Sequence, residues 1–99
     1  MYFLVRESAP LGLAMVGVAH GACAAALRWA GEERFEIWQK TSFRKVICRV
    51  TDEQFLSYRN LEHPFKICIT ESSLKGMPTT LVLLVDEDEV SLKNLSLYT

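Results

Sequence analysis

The sequence lacks the groups on which most small metalloproteins and nucleotide-binding proteins depend. It has no glycine-rich phosphate loop, no cluster with metal-ligand spacing and no serine on a strand-to-helix turn. The three cysteines, Cys23, Cys48 and Cys68, are far apart, and each lies in an apolar run. We therefore expect no metal, no cofactor and three reduced core cysteines. Unpaired cysteines favour a reducing compartment, so the predicted location is the cytoplasm.

The sequence also has almost no net charge. A formal charge of −1 excludes a global attraction to nucleic acid, so polyanion binding requires a local patch. Between Arg28 and Arg49, six basic residues stand against three acidic ones, whereas from Glu71 onward five acidic residues stand against two lysines. Arg44 and Lys45 are therefore candidate phosphate contacts, although strand alternation separates their side chains and ordinary solubilising charge is the alternative.

Long apolar runs are few, and the longest extends from Leu11 to Trp29. It barely reaches the length of a membrane span, so we expect no membrane partner. A cleaved export signal is the alternative, but Glu7, Pro10 and His20 interrupt the required pattern. Because 49% of the 99 residues are hydrophobic, the chain is predicted to form one globular domain.

The same apolar run has the spacing of a helix. Gly17, Gly21 and Ala25 recur every four residues, which places them on one smooth face that another backbone can approach closely. Two interior glycines cost about 1 kcal/mol each relative to alanine, so they need a packing reason. Since the helix is apolar nearly all round, we expect it to be buried against a sheet.

The remaining segments alternate between strand and helix patterns. The predicted elements, besides the long helix over 11–30, are strands over 1–5, 43–50, 65–70 and 79–85, helices over 32–39 and from Thr51, a short helix after Asp86 and a closing segment over 95–98. Capping boxes are predicted at Thr51 with Gln54 and at Asp86 with Glu89. The loop over 71–78 is too short for a helical crossover, so the strands it joins are antiparallel neighbours or lie one strand apart. This order predicts an α/β fold with a mixed sheet covered on both faces.

Few side chains could carry chemistry. The candidates are His20, Glu71, Ser72, Ser73, Thr79 and Thr80. A lone histidine on an apolar helix is more often a satisfied core residue than a catalyst, yet burial would keep it in the neutral form of a general base. Glu71 ends a strand and opens a loop, where working carboxylates of α/β sheets lie, and a solvated loop acid is the alternative.

Five short motifs together resemble a known family. They are Leu4-Val5-Arg6, Val18-Ala19-His20-Gly21-Ala22, Arg44-Lys45-Val46, Ile69-Thr70-Glu71 and Pro78-Thr79-Thr80. Their order and spacing, over nearly the whole chain, resemble the type-2 peptidyl-tRNA hydrolases, and more closely the shorter, divergent peptidyl-tRNA hydrolase domain-containing branch. The resemblance implies one domain over 1–99 with a three-layer α/β/α fold and a four-stranded mixed sheet. It also implies hydrolysis, without a metal, of the ester that joins a peptide to the terminal ribose of tRNA.

The resemblance also implies site residues. His20 matches the family's helix histidine, Thr80 matches the threonine just after its proline, and Glu71 stands where the family has an aspartate. A carboxylate or imidazole could orient water, and a threonine hydroxyl could donate to the developing oxyanion. These three are the expected catalytic residues. The expected contacts to a tRNA substrate are Thr79, Arg44, Lys45 and Lys75.

The chain departs from the family at the start of the long helix. Leu11 and Leu13 occupy the positions of two family lysines, and a leucine neither neutralises a phosphate nor stabilises an oxyanion. The family also has a histidine-threonine pair in its later loop, and this chain has Ser73, Leu74 and Lys75 in that region instead. Lys75 could restore the lost positive charge, or it could be a solvated loop lysine.

Three functions therefore stay open: an esterase, a non-catalytic binding module and a different small-molecule site. A homodimer is also left open.

Overall fold

The computed structural model describes residues 1–86 and 88–99. The elements are β1 (Tyr2–Arg6), α1 (Leu11–Trp29), α2 (Glu33–Thr41), β2 (Val46–Val50), α3 (Asp52–Asn60), β3 (Lys66–Glu71), a 3-10 turn (Ser72–Leu74), β4 (Met77–Leu83) and β5 (Ser96–Leu97). The described residues thus form an α/β domain with a five-stranded mixed sheet and three α-helices. The predicted fold class is confirmed at this level, but the predicted strand number of four is wrong.

The sheet has the order β3-β4-β1-β2-β5. β1 is parallel to β2 and antiparallel to β4, and the other neighbouring pairs are antiparallel. The short loop after Glu71 therefore joins antiparallel neighbours, one of its two predicted arrangements. The fifth strand forms because Ser96 and Leu97 pair with Arg49 and Cys48 along the outer edge of β2. This pairing is a long-range contact, so no local sequence pattern predicts it.

Side chains alternate between the two faces of the central strand β1. Phe3 packs with Ala25 and Trp29 of α1, whereas Leu4 packs with Phe55 of α3. Because both faces are covered, β1 is apolar throughout its centre, as predicted for a buried strand. The helices therefore form one layer on each side of the sheet.

The predicted smooth face of α1 is confirmed. Gly17, Gly21 and Ala25 are buried, and a Cβ added to Gly21 would come 2.6 Å from Val82 Cγ2 and 3.4 Å from the Phe3 ring. The helix packs over β4, β3 and β1. The missing side chains thus allow its backbone to lie close to the sheet.

The predicted burial of α1 against a sheet is confirmed, but its apolar side chains extend beyond the buried face. Only one face meets the sheet, so Leu11 is 62% exposed and Met15 64% exposed, with Val16 and Leu27 also at the surface. Cys23 lies on this outer face and is exposed, which corrects the prediction of three core cysteines; Cys48 is buried and Cys68 half-buried. By length and composition α1 is able to cross a membrane, a test that core helices and signal sequences also pass. The predicted cytoplasmic location therefore stays a prediction.

Local sequence patterns predicted the positions of α2 and α3 correctly. The capping box of α3 is confirmed, because Thr51 Oγ1 accepts a hydrogen bond from Gln54 N–H at 3.1 Å and Gln54 Oε1 accepts one from Thr51 N–H at 2.9 Å. The helix predicted after Asp86 is absent from the described residues, although one bond of its predicted capping box is present, because Glu89 Oε1 accepts a hydrogen bond from Asp86 N–H at 3.0 Å. Glu87, which belongs to that prediction, lies outside the described residues.

Candidate functional site

Glu71 stands where β3 ends and the loop to β4 begins. Its Oε1 accepts hydrogen bonds from Ser73 N–H at 3.1 Å and from Ser73 Oγ at 2.9 Å. These bonds, the backbone one first, lower the pKa of Glu71, and the attraction of His20 adds to the effect. Glu71 is therefore a carboxylate at neutral pH, fixed in orientation by the turn that it caps.

His20 lies on the side of α1 that faces the end of β3. Its side chain is exposed rather than packed in the core, which sequence reasoning favoured. Among the described residues, no hydrogen bond or ion pair joins His20 to Glu71, and the attraction of His20 is the smallest of the effects that lower the pKa of Glu71. The two side chains are thus linked only by a weak electrostatic interaction.

Thr80, the third expected catalytic residue, is fully buried beneath α1. A β-bulge between β3 and β4 pairs Ile69 with Thr80 and Thr70 with Pro78, so that Thr79 has no partner across the sheet. The hydroxyl oxygens of Thr79 and Thr80 lie 3.1 and 2.6 Å from a Cβ built on Gly17. The Thr80 hydroxyl is therefore close to the site in the fold but closed off from it.

Both threonine hydroxyls are buried without a hydrogen-bond partner among residues 1–86 and 88–99. An unpaired buried hydroxyl costs about 1–3 kcal/mol, so this arrangement is unfavourable for stability taken alone. Buried polar groups without a hydrogen-bond partner are a typical feature of functional regions. A sequence could not reveal it, because threonine is an ordinary strand residue.

The expected substrate-binding residues do not form one surface. Arg44 and Lys45 precede β2, whose first residue pairs with Tyr2 at the start of β1, whereas Thr80 pairs with Val5 at its other end. The two groups are thus separated by more than about 10 Å along the strand direction. The Lys45 ammonium donates to the Phe43 carbonyl at 3.0 Å and lies over the Phe43 ring.

Lys75 is the expected basic residue that does lie beside Glu71. The Gly76 N–H donates to the Glu71 carbonyl at 2.9 Å, which closes the loop on itself. Lys75 occupies the left-handed region within this loop, with φ 58°, and its side chain is exposed. Lys75 therefore adds a positive charge to the loop that begins at Glu71.

Arg44 instead borders a cavity of about 550 Å³ at the opposite end of the sheet, next to Trp38 and Arg34. Near this cavity an ionic cluster, unforeseen from the sequence, joins α2 to the segment after β4. Arg34 makes two hydrogen bonds to the Glu89 carboxylate at 2.7 and 3.2 Å, and His63 Nε2 lies 2.8 Å from Glu89 Oε2. Its members are too far apart in sequence for any local pattern to connect them.

The described part of the chain contains no group of three or more histidine, cysteine, aspartate or glutamate side chains that could hold a metal ion. Imidazole and carboxylate groups, such as those of His20 and Glu71, are the side chains used most often in general acid–base catalysis. No protein-family model, no curated protein and no solved structure matches this chain.

Proposed function

We propose that the chain is a divergent esterase of the type-2 peptidyl-tRNA hydrolase kind, which hydrolyses the ester of a peptidyl-tRNA. The observations that support this proposal are that His20 is exposed, that Ser73 fixes the orientation of the Glu71 carboxylate, and that the two side chains attract each other weakly. A histidine that was packed in the core could not reach a substrate. An accessible imidazole and an oriented carboxylate are the groups that a general base and its partner require.

In this proposal, His20 removes a proton from a water molecule as the water oxygen bonds to the ester carbonyl carbon. Glu71 stabilises the resulting imidazolium by its negative charge. The bond between the carbonyl carbon and the ribose oxygen then breaks, and the imidazolium returns the proton to that ribose oxygen. The products are a peptide carboxylic acid and a tRNA with a free hydroxyl.

The role expected for Thr80, donation to the oxyanion, requires a change in the position of α1. In the described conformation Gly17 covers its hydroxyl, which is inaccessible to solvent. Movement of the first half of α1 away from β4 would expose both threonine hydroxyls, which have no partner to lose. Thr80 is therefore assigned to an opened state of the site, and His20 and Glu71 to both states.

The tRNA backbone is proposed to contact Lys75 beside the ester and Arg44 and Lys45 farther away. Each phosphate contact releases counterions, so binding should weaken as the salt concentration rises. A single lysine beside the site is a weaker anchor than the two lysines that Leu11 and Leu13 replace. We therefore expect a higher KM than a lysine-rich site would give.

The test is hydrolysis of a labelled peptidyl-tRNA by the purified chain and by the Glu71→Gln and His20→Gln variants. Both substitutions remove acid–base chemistry at the surface, so each should lower kcat about 100-fold while leaving the unfolding midpoint nearly unchanged. Glu53→Gln, on the exposed first turn of α3, is the matched control and should keep full activity. Retention of turnover in both site variants would contradict the assignment.

A second candidate function is a non-catalytic binding module on the same fold. It is favoured by the exposed apolar side chains of Leu11, Met15 and Val16, in the region where the family has lysines. Undetectable turnover by the intact chain, together with salt-sensitive tRNA binding that Lys75→Gln weakens, would support the module. The absence of both turnover and binding would exclude tRNA as the partner.

A further inference from the structure

An apolar groove lies between α1 and β2, on the opposite side of α1 from His20. It has a volume of about 230 Å³ and is lined by Val5, Ala14, Met15, Val18, Ile47 and Tyr98. The groove forms because α1 packs over β3, β4 and β1, which leaves Ile47 of β2 39% exposed on the same face of the sheet. α2 lies on the same face of the sheet, but its Phe35 packs in the cluster of Met1 and Phe3 and not over Ile47.

Two polar groups stand at the edge of this groove. Arg49 pairs with Val5 in the register and lies two residues after Ile47, so its side chain emerges on the groove's face of the sheet. Its guanidinium carbon lies 5.9 Å from the centre of the Tyr98 ring. In the part of the chain that the structure describes, neither the Arg49 guanidinium nor the Tyr98 hydroxyl has a hydrogen-bond or ion-pair partner.

We propose that this groove binds a small monocarboxylate with an apolar tail, of the size of a medium-chain fatty acid. The tail would lie between Met15 and Ile47, and the carboxylate would accept hydrogen bonds from Arg49 and Tyr98. A guanidinium and a phenol can donate hydrogen bonds to a carboxylate, and the apolar cleft beside them can hold the tail. The volume is below the roughly 300 Å³ at which sites for drug-sized ligands begin, so the ligand is small.

A second copy of the chain fits this groove less well. A stable protein interface buries about 800 Å² on each partner, far more than the walls of this groove present. An apolar partner surface would also enclose the Arg49 charge without a counter-charge, which is unfavourable. A carboxylate ligand supplies that counter-charge.

The site is independent of the proposed esterase, since it uses neither His20 nor Glu71 and lies across α1 from both. A negative result for the esterase therefore does not count against the carboxylate site, and a negative result for the carboxylate site does not count against the esterase.

The test is a titration of the full chain with octanoate, followed by backbone amide chemical shifts. We expect the shift changes to concentrate at Val5, Ala14, Ile47 and Tyr98. Octanol, which has the same tail without the charge, is the matched neutral probe. Arg49→Gln should weaken octanoate binding about tenfold and leave octanol binding unchanged, because only the charged contact is lost.

Two further variants complete the design. Ile47→Trp places a larger side chain in the groove from an exposed position, so it should abolish binding of both probes without lowering the unfolding midpoint. Arg59→Gln, on the exposed side of α3, should have no effect on either probe. Shift changes elsewhere, no binding, or equal octanoate affinity in Arg49→Gln would each overturn the proposal. Shifts at the same residues on raising the protein concentration alone would show that a second copy occupies the groove.

Discussion

Gly17 of α1 lies directly against Thr80 of β4, because a Cβ placed on Gly17 would come 2.6 Å from the Thr80 hydroxyl oxygen. This contact sets the distance between the longest helix and the sheet. It also separates the buried threonines from the exposed histidine one turn farther along the helix. The stability of the fold and the access to the threonine hydroxyls therefore depend on the same contact between Gly17 and Thr80.

Gly17→Ala should destabilise the protein. Alanine gains about 1 kcal/mol of helix propensity, but the new methyl group would overlap Thr80 in a fully buried position, which costs about 1–3 kcal/mol. We expect a net loss of about 1 kcal/mol in the free energy of urea unfolding. Gly12→Ala, where a Cβ meets nothing within 4 Å, should be neutral or stabilising.

Thr80→Val should stabilise the fold. The substitution keeps the shape and replaces a buried hydroxyl that has no partner, so we expect a gain of about 1 kcal/mol in the free energy of unfolding. Thr70→Val, at an exposed position of β3, is the control and should change stability by less than about 0.5 kcal/mol. A clear loss of stability in Thr80→Val would show that the hydroxyl is hydrogen-bonded.

Thr51→Ala should cost about 1 kcal/mol, because the capping box of α3 loses the acceptor for the Gln54 N–H. Ser57→Ala, at an exposed position within the same helix, is the matched control and should be nearly neutral. Thermal unfolding followed by circular dichroism measures both. Equal melting temperatures for the two variants would contradict a stabilising cap.

Acid should weaken the ionic cluster at Glu89. The Arg34 guanidinium, the Asp86 backbone N–H and His63 lower the pKa of Glu89 from 4.5 to about 2. The folded state therefore binds this proton less readily than the unfolded chain. The contribution of Glu89 to stability is complete above pH 4.5 and is lost as the pH falls towards 2.

Unfolding free energies measured across that pH range provide the check. Glu89→Gln should flatten the dependence of stability on pH, because the substituted side chain has no proton to bind. Glu53→Gln, whose carboxylate forms no ion pair with any of the residues that the structure describes, should keep the wild-type slope. An unchanged slope in Glu89→Gln would assign the acid sensitivity to other groups, such as Asp52 paired with Arg6.

The local parts of the fold follow from the sequence. The spacing of Gly17, Gly21 and Ala25 identified the buried face of α1, and Thr51 with Gln54 identified the start of α3. The short length of the loop after Glu71 correctly restricted β3 and β4 to two possible arrangements. Each of these signals depends on residues a few positions apart, which backbone geometry brings together in any context.

The candidate site was predicted only in part. His20 is exposed and Glu71 is partly exposed, as a catalytic role requires, whereas Thr80 is fully buried, which that role does not allow. Arg44 and Lys45 lie at the far end of the sheet. Exposure depends on what the rest of the chain covers, so no local pattern could assign it.

The sequence by itself determined the helices, the buried central strand and the close approach of α1 to the sheet, because period, capping and side-chain size act locally. The tertiary structure alone decided which sides of α1 remain exposed, that Ser96 and Leu97 extend the sheet, and that Arg34 meets Glu89. The physical reason is that these features depend on which parts of a five-stranded sheet the helices cover and on contacts between distant segments.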